Sequence, residues 1–374
     1  MSSIDPIRQN PALADELSKE LDTVRETCTS CGACVKHCAF LNKYGDPFTI
    51  AGRLRSGSIT EAVAFECSLC GLCEAICPQG VQPARMFLAM RRSAVDKGVA
   101  EMKPYRRLLS YEARGHSRLF AHYAIPQGCD TVLFPGCTLP GTRPAATAAL
   151  TARLHELVPN LGVVLDCCHK PSHDLGRQEF FAMRFGAIRE RLLKAGVSTI
   201  LTACPNCTKT FRAYGDGLEI RTVYELLADA EGPAPERSAV EVMVHDPCPF
   251  RHDEPVRAAS RKLLEVRRLG VHEPKRTGRR TQCCGEGGSV GCVDAALADN
   301  WTSSRLEQSE GLPIAASCAG CAAMLRRAGA DAHHVLDLYF HPVETLSGTI
   351  KPSGFLAGYL NRLRYKKKLK KTIR

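Results

Sequence analysis

One arrangement of five cysteines occurs twice: a lone Cys, then an adjacent pair, then C-x-x-C. The first copy is Cys137, Cys167–Cys168, Cys204 and Cys207, and the second is Cys248, Cys283–Cys284, Cys318 and Cys321. Equivalent positions are offset by 111 to 116 residues, which marks an internal duplication. Eight further cysteines upstream form two runs of C-x2-C-x2-C-x3-C. A disulfide scaffold would be short and cysteine-dense throughout. Thiols at these spacings in a chain of 374 residues imply metal–sulfur chemistry instead.

That length suits two or three domains. The first 27 residues have no apolar h-region, so a signal peptide is not expected. No stretch approaches the ~20 apolar residues of a membrane span. A cytoplasmic location is therefore expected, where clustered cysteines stay reduced. Net charge is +11, but eight of those charges (Arg362, Arg364, Lys366, Lys367, Lys368, Lys370, Lys371, Arg374) fall in residues 355–374, which hold no acid. The basic character belongs to a tail, and a nucleic-acid-binding face is not expected.

Six segments follow along the chain. They are a polar helical leader (1–27), a segment with the two runs (28–100), a basic connector (101–128), the two five-cysteine segments (129–232 and 240–340) and a basic tail (341–374). The stretch AEGPAPERSA at 230–239 reads as the linker between the repeats. Within the first repeat, apolar runs at 131–134, 162–166 and 198–202 read as strands ending just before Cys137, Cys167 and Cys204. Residues 145–158 and 175–195 read as helices. The second repeat echoes this with strands at 240–245 and 313–317, and a weaker one at 277–282. Strand–helix alternation predicts parallel sheets, with the cysteines gathered past the strand C-termini.

Residues 28–38 read CTSCGACVKHC and residues 67–78 read CSLCGLCEAICP. This spacing wraps three thiolates around one [4Fe–4S] cube, while the fourth Cys of each run goes to the other cluster. One cubane is thus assigned to Cys28, Cys31, Cys34 and Cys77, and the second to Cys67, Cys70, Cys73 and Cys38. Gly32 and Gly71 are expected to allow close backbone approach to the cluster. Zinc also takes four thiolates, but its sites pair two C-x2-C knuckles. Ala39 rather than Pro follows Cys38, and 28 residues separate Cys38 from Cys67. With 50–66 reading as helical, the region resembles the helical ferredoxin domains of succinate dehydrogenase and heterodisulfide reductase more than a compact β-ferredoxin.

The duplicated pattern resembles the cysteine-rich "CCG" domains of the heterodisulfide reductase family. Relatives include the iron–sulfur subunits of glycolate oxidase and anaerobic glycerol-phosphate dehydrogenase. A two-cluster ferredoxin followed by two such domains resembles the D-type subunit. His245-Asp246-Pro247-Cys248 and Cys283-Cys284-Gly285-Glu286-Gly287-Gly288 carry the likeness in the second copy. The fold this implies is α+β and multidomain: a helical two-cluster ferredoxin domain, then duplicated α/β domains with small parallel sheets.

The resemblance further implies two [4Fe–4S] cubanes and up to two noncubane [4Fe–4S] clusters. Cys137, Cys167, Cys168, Cys204 and Cys207 would hold one noncubane cluster. Cys248, Cys283, Cys284, Cys318 and Cys321 would hold a catalytic one, with Gly285 beside it. The first copy departs from the family where His169-Lys170-Pro171 replaces Gly, which leaves a zinc site or an ordinary cubane open there; His169 reads as a neighbour of the site rather than a ligand. The glycines at 285, 287, 288 and 291 lack the Lys-Ser/Thr of a P-loop and read as room to wrap the cluster. Cys129 and Cys292 read as buried thiols outside the pattern, and His173, His245 and His252 are candidate proton donors.

No haem, flavin or nicotinamide motif stands out, so a flavoprotein or other donor subunit must deliver the electrons. The chain is expected either to act on a thiol/disulfide substrate or to pass electrons to a membrane cytochrome or quinone-reactive partner. The tail reads equally as a solvated end or as a helix docking on an anionic membrane face, which would make the protein peripheral.

Overall fold

The computed structural model describes residues 10–230 and 240–373. The 230–239 linker and the first nine residues of the leader thus lie almost wholly outside the described residues. The chain divides into two compact units that are not consecutive stretches. The first holds residues up to Leu109 together with Pro171–Ala182 and Gln282–Ser304. The second holds Ser110–Lys170, Met183–Thr281 and Arg305 onward. Each five-cysteine repeat therefore gives the segment after its adjacent pair to the first unit, and the second repeat gives the pair itself.

In the first unit, Asn10 caps helix Pro11–Thr27 by accepting from the Ala12 N–H at 3.1 Å. Leu17, Leu21 and Val24 form its buried stripe, in one core with Met86, Phe87 and Met90 of helix Pro83–Asp96. The leader is thus part of a core. Residues 50–66, expected as helical, are the end of helix Pro47–Arg55 followed by a 3-10 turn, Glu61–Glu66.

The second unit has two sheets. The first contains β1 (His122–Ala124), β2 (Thr131–Phe134), β3 (Gly162–Leu165), β4 (Thr199–Thr202) and β5 (Glu219–Thr222), in the order β1-β3-β2-β4-β5. All neighbours are parallel except β1, which runs antiparallel on β3. The second contains β6 (Glu241–His245), β7 (Gly270–His272), β8 (Ile314–Ala316) and β9 (Ala332–His334), in the order β7-β6-β8-β9, all parallel. Its order matches β3-β2-β4-β5, as a duplication requires. The interior strands β2, β3, β4, β6 and β8 are mostly apolar, buried runs, as expected where helices cover both faces of a parallel sheet, and residues of both sheets share one core.

The strand expected at 277–282 is not there. Its topological equivalent is β7, which is separated from Cys283 by ten residues, and 278–280 is a 3-10 turn. The Asp246 carboxylate holds this stretch, accepting from Thr277 Oγ1 at 2.9 Å and from the Gly278 N–H at 2.8 Å. The connector contains helix Arg106–Gly115 and β1. The tail contains helix Phe355–Thr372, whose Tyr365 and Leu369 belong to the second unit's core.

Candidate metal–sulfur centres

Two hollows in the first unit are lined by the eight upstream cysteines. Cys28, Cys31, Cys34 and Cys77 line one. Cys38, Cys67, Cys70 and Cys73 line the other, with Leu297 and Trp301 in its wall. Cys73 borders both. In each run the second and fourth residues after the leading Cys take left-handed backbone: Ser30 (φ 55°) and Gly32 (φ 70°), then Leu69 (φ 48°) and Gly71 (φ 70°). The chain thereby curls around the hollow, and the Leu69 N–H reaches Cys67 Sγ at 3.4 Å. A Cβ on Gly32 would meet nothing within 4 Å, so conformation rather than room requires glycine there. Burial pushes the Cys34 and Cys38 thiols up to about 11, and Cys67 and Cys73 higher still. Such thiols stay protonated unless a bound cation deprotonates them, so the donor set suits a metal cluster.

Arg91 stands beside the second hollow, and no sequence motif marks it. It is fully buried and donates to five backbone carbonyls. Nε–H reaches Ala64 (3.0 Å), Nη1–H reaches Asp174 (2.7 Å) and Gly288 (3.0 Å), and Nη2–H reaches Phe65 (3.2 Å) and Cys67 (2.7 Å). One guanidinium thus ties the Cys67 loop to both segments contributed by the repeats. Its only sequence signal is a cation on the buried stripe of helix Pro83–Asp96, one turn after Phe87.

The glycine-rich stretch after Cys283–Cys284 packs on the same loop. Gly288 has φ +60°, and a Cβ there would lie 2.4 Å from Cys67 O; one on Gly287 would lie 2.6 Å from Ser68 O. Close approach to that loop is what these glycines provide. Gly285 (φ 95°) donates its N–H to Cys283 Sγ at 3.4 Å. Cys283 shares a small apolar cluster with Leu72 and Trp301, against which Cys38 and Cys70 pack. Cys292, expected to be buried, is exposed, whereas Cys129 is buried.

The five cysteines of the first repeat all lie in the second unit and converge. Thiol–thiol hydrogen bonds join Cys137 to Cys167, Cys168 to Cys207 and Cys204 to Cys207. Gly136 (φ +80°) makes room for this. A Cβ there would stand 3.2 Å from Cys204 Cβ and 3.4 Å from Cys207 Sγ. Hydrogen bonding from Cys167 holds the Cys137 thiol below its ordinary range and pushes Cys167 up. Five converging thiols exceed the four ligands of a structural zinc site.

His169 follows the pair with φ +55°, the left-handed backbone that Gly285 supplies in the second repeat. Its Nδ1 is 3.3 Å from Glu112 Oε1, and both residues are 1% exposed. Glu112, Cys167 and His169 bring their ligating atoms within 4.8 Å of one another.

Of the second repeat, Cys248, Cys318 and Cys321 lie in the second unit, past the ends of β6 and β8. His245, at the end of β6, is buried; burial, with Arg305 adding, pushes it down to about 3. It is a neutral imidazole, and neither ring nitrogen has a hydrogen-bond partner among the described residues. His173 is instead paired with Asp174 at 3.0 Å, in the first unit. His252 is surface-exposed, and burial of its ring and the nearby Arg251 lower its affinity for a proton.

Sequence reasoning also missed Tyr224. Its buried hydroxyl lies 2.9 Å from Ala203 O and 2.8 Å from Ser317 O, the carbonyls directly before the two C-x-x-C turns.

Family comparisons agree with this layout. A 4Fe-4S dicluster domain matches residues 27–82, and a cysteine-rich domain (CCG) matches residues 131–212 and 242–326. These spans take in all eighteen patterned cysteines. The chain is similar to the D-type subunit of the dihydromethanophenazine:CoB–CoM heterodisulfide reductase of Methanosarcina mazei, 26% identical over 332 residues, 73% of this chain and 81% of that protein. The Methanosarcina barkeri protein of the same description is 26% identical over 333 residues, with the same coverage of each chain. Among solved structures, Picrophilus torridus aspartate racemase matches with a TM-score of 0.25 and 10% identity, over 62% of this chain and 98% of that one. That likeness is too low to bear on fold or function.

Proposed function

We propose that this chain, similar to heterodisulfide reductase D-type subunits, works as a member of that family, relaying electrons through two cubane clusters to noncubane clusters that act on a disulfide. At the coarser level it is an iron–sulfur protein of electron transfer. The cubane ligands are Cys28, Cys31, Cys34 and Cys77 for one cluster and Cys38, Cys67, Cys70 and Cys73 for the other. The convergence of five thiols in the first repeat carries the reading, since neither zinc nor a cube ligated by four thiolates uses five. The second repeat keeps the same five positions within its family match: Cys248, Cys283, Cys284, Cys318 and Cys321.

Cleaving a disulfide takes two electrons and two protons: the S–S bond breaks and each sulfur leaves as a thiol. A flavoprotein or other donor subunit supplies the electrons, and the clusters, when bound, pass them singly. The protein's part is to hold the clusters in order and to keep water from the buried sulfurs. His245, neutral and buried, is not a ready proton source, so the protons come from solvent or substrate.

The test is anaerobic purification followed by iron and sulfide analysis, with about four clusters expected. One-electron oxidation in the presence of a thiol should then give a paramagnetic signal that Cys284→Ser abolishes together with disulfide reduction, while the cubanes still accept electrons. Two clusters' worth of iron with stoichiometric zinc would overturn the noncubane assignment.

A second reading has one observation in its favour. Leu356 and Leu360 of the last helix are 77% and 54% exposed, and exposed Arg364, Lys367, Lys368 and Lys371 follow on the same side. Such a stripe suits a chain that lies on an anionic membrane face and passes electrons to a quinone-reactive partner. Ready reduction by a flavoprotein, with no thiol-dependent signal and no disulfide turnover, would put this reading first.

A further inference from the structure

The inner face of helix Phe355–Thr372 is Gly358, Arg362, Tyr365 and Leu369. Three of these are packing residues; Arg362 is not. It is 5% exposed and, unlike buried Arg143, which pairs with Asp337 at 2.7 Å, has no carboxylate partner among the described residues. Its Nη2–H donates to Gly115 O at 3.2 Å, and the guanidinium lies 5.0 Å from the centre of the Phe120 ring. Nη1 is buried with no hydrogen-bond partner among the described residues. Burying a cation without a counter-ion is costly, and leaving one of its donors unpaired adds to that.

The first five-cysteine site lies alongside. The position a Cβ of Gly115 would take is 3.8 Å from Cys167 Sγ and 3.9 Å from Arg362 Nη2. Tyr111, another Arg362 neighbour, donates its hydroxyl to Cys137 O at 3.1 Å. The helix is fixed to the turn after Cys137. Asn361 Nδ2–H donates to Gly141 O at 2.9 Å, the Ser353 N–H donates to Thr142 O at 2.7 Å, and a Cβ on Gly141 would stand 3.0 Å from Gly358 O.

We propose that Arg362 is a positioning residue of the first five-cysteine site: its buried guanidinium is the counter-charge and hydrogen-bond donor of the cluster held there, so the C-terminal helix sets that cluster's potential. The inference rests on the reading that the first repeat holds an iron–sulfur cluster. Thiolates and sulfide make such a site negative, and reduction adds one more negative charge. A fixed cation therefore favours the reduced form.

The experiment is a potentiometric titration of the anaerobically purified full chain, followed by the paramagnetic signal of the first-repeat cluster, with iron and sulfide counted in parallel. Arg362→Gln should keep its iron and lower the reduced-to-oxidised ratio at a fixed poise about tenfold, which is about 59 mV for one electron. Arg362→Lys should recover most of that. An unmoved potential in iron-replete Arg362→Gln overturns the proposal, as does an equal drop in both variants.

Should Arg362→Gln fail to fold, wild-type protein grown on 15N-arginine decides. A nitrogen hyperfine coupling at this cluster that disappears in Arg362→Lys supports the proposal, and no coupling overturns it. A wild-type first site without iron sinks the underlying reading and this inference together. Iron present with the potential unmoved sinks only the inference.

Discussion

The two five-cysteine repeats share a strand order and a thiol pattern but differ in everything placed around the thiols. In the first repeat only Asp166 stands between β3 and Cys167, the residue after the pair is a buried histidine beside a buried glutamate, and the C-terminal helix brings in a guanidinium. In the second, ten residues separate β7 from Cys283, Asp246 is locked by Arg261 at 2.9 Å through both guanidinium nitrogens, and the residue after the pair is Gly285. The glycines that follow press on the Cys67 loop, and neither ring nitrogen of His245 has a partner among the described residues. Duplication has preserved the strand order and the thiol spacing while the surrounding residues have diverged. Buried Arg362 lies beside the first repeat's thiols, and buried, neutral His245 ends the strand before Cys248 in the second.

The comparison breaks most severely at the residue that serves both repeats. Arg91→Met should strip the donors from the carbonyls of Ala64, Phe65, Cys67, Asp174 and Gly288 at once. Each buried acceptor left unpaired costs about 1–3 kcal/mol, so a loss of at least about 4 kcal/mol is expected even after water relieves some of them. Chemical denaturation of the variant against wild type measures it. Arg91→Lys should restore little, because an ammonium cannot reproduce a planar fork spread over five carbonyls. A mild effect in either variant would mean that the Cys67 loop holds its shape without the segments from the repeats.

The next largest effect should strike the two repeats equally. Arg143 follows Cys137 in the first repeat, Asp337 lies in the second, and their buried pair spans 2.7 Å. Removing one partner, as in Arg143→Met, should cost about 3–5 kcal/mol. Adding Asp337→Leu should recover most of it, because the uncompensated charge is then gone. The full double-mutant cycle by denaturation checks this. Failure of the second change to rescue would show that the pair is held by its neighbours rather than by charge.

Gly288→Ala should come third and separate the repeats. Its new Cβ would meet the Cys67 carbonyl, a backbone atom, from a left-handed conformation, for a loss of about 1–3 kcal/mol. It should also disturb the cluster proposed for Cys38, Cys67, Cys70 and Cys73 before the one proposed for the first repeat, which spectra of the individual clusters can resolve.

How much of this was legible in the sequence depended on the range of the signal. Cysteine spacing is local, and the strands that precede Cys137, Cys167, Cys204, Cys248 and Cys318 are short apolar runs; both could be read directly. The strand before Cys283 could not, because β7 is three residues long and Asp246, some thirty residues upstream of Thr277, holds the intervening stretch. Arg91 and Tyr224 act on backbone carbonyls far along the chain, and no side-chain pattern announces that kind of contact. Arg362 is visible but easily miscounted. Summed with the lysines around it, it reads as one more tail charge, whereas the spacing 358, 362, 365, 369 sets it on a buried helical face. Cys292 shows the opposite error: a thiol outside every pattern gives no indication of its exposure.

The smallest expected effect tests whether the two faces of that last helix are independent. The inner face belongs to the first repeat, while Lys367 and Lys371 lie one turn apart on the exposed face. Lys367→Gln and Lys371→Gln should leave iron content and the first-repeat potential as they are. If the outer face meets an anionic membrane, each change should weaken binding to phosphatidylserine-containing vesicles by about 1 kcal/mol, roughly fivefold. The effect should shrink as salt shortens the screening length. Vesicle co-sedimentation at two salt concentrations, run beside the Arg362→Gln variant, separates the faces: the lysine changes should move binding alone and the arginine change potential alone. Binding that ignores both lysines would reduce the outer face to a solvated surface. A potential that follows the lysines would mean that diffuse positive charge, rather than the one buried guanidinium, tunes the first repeat, and the contrast between the two sites would then rest on net charge instead of geometry.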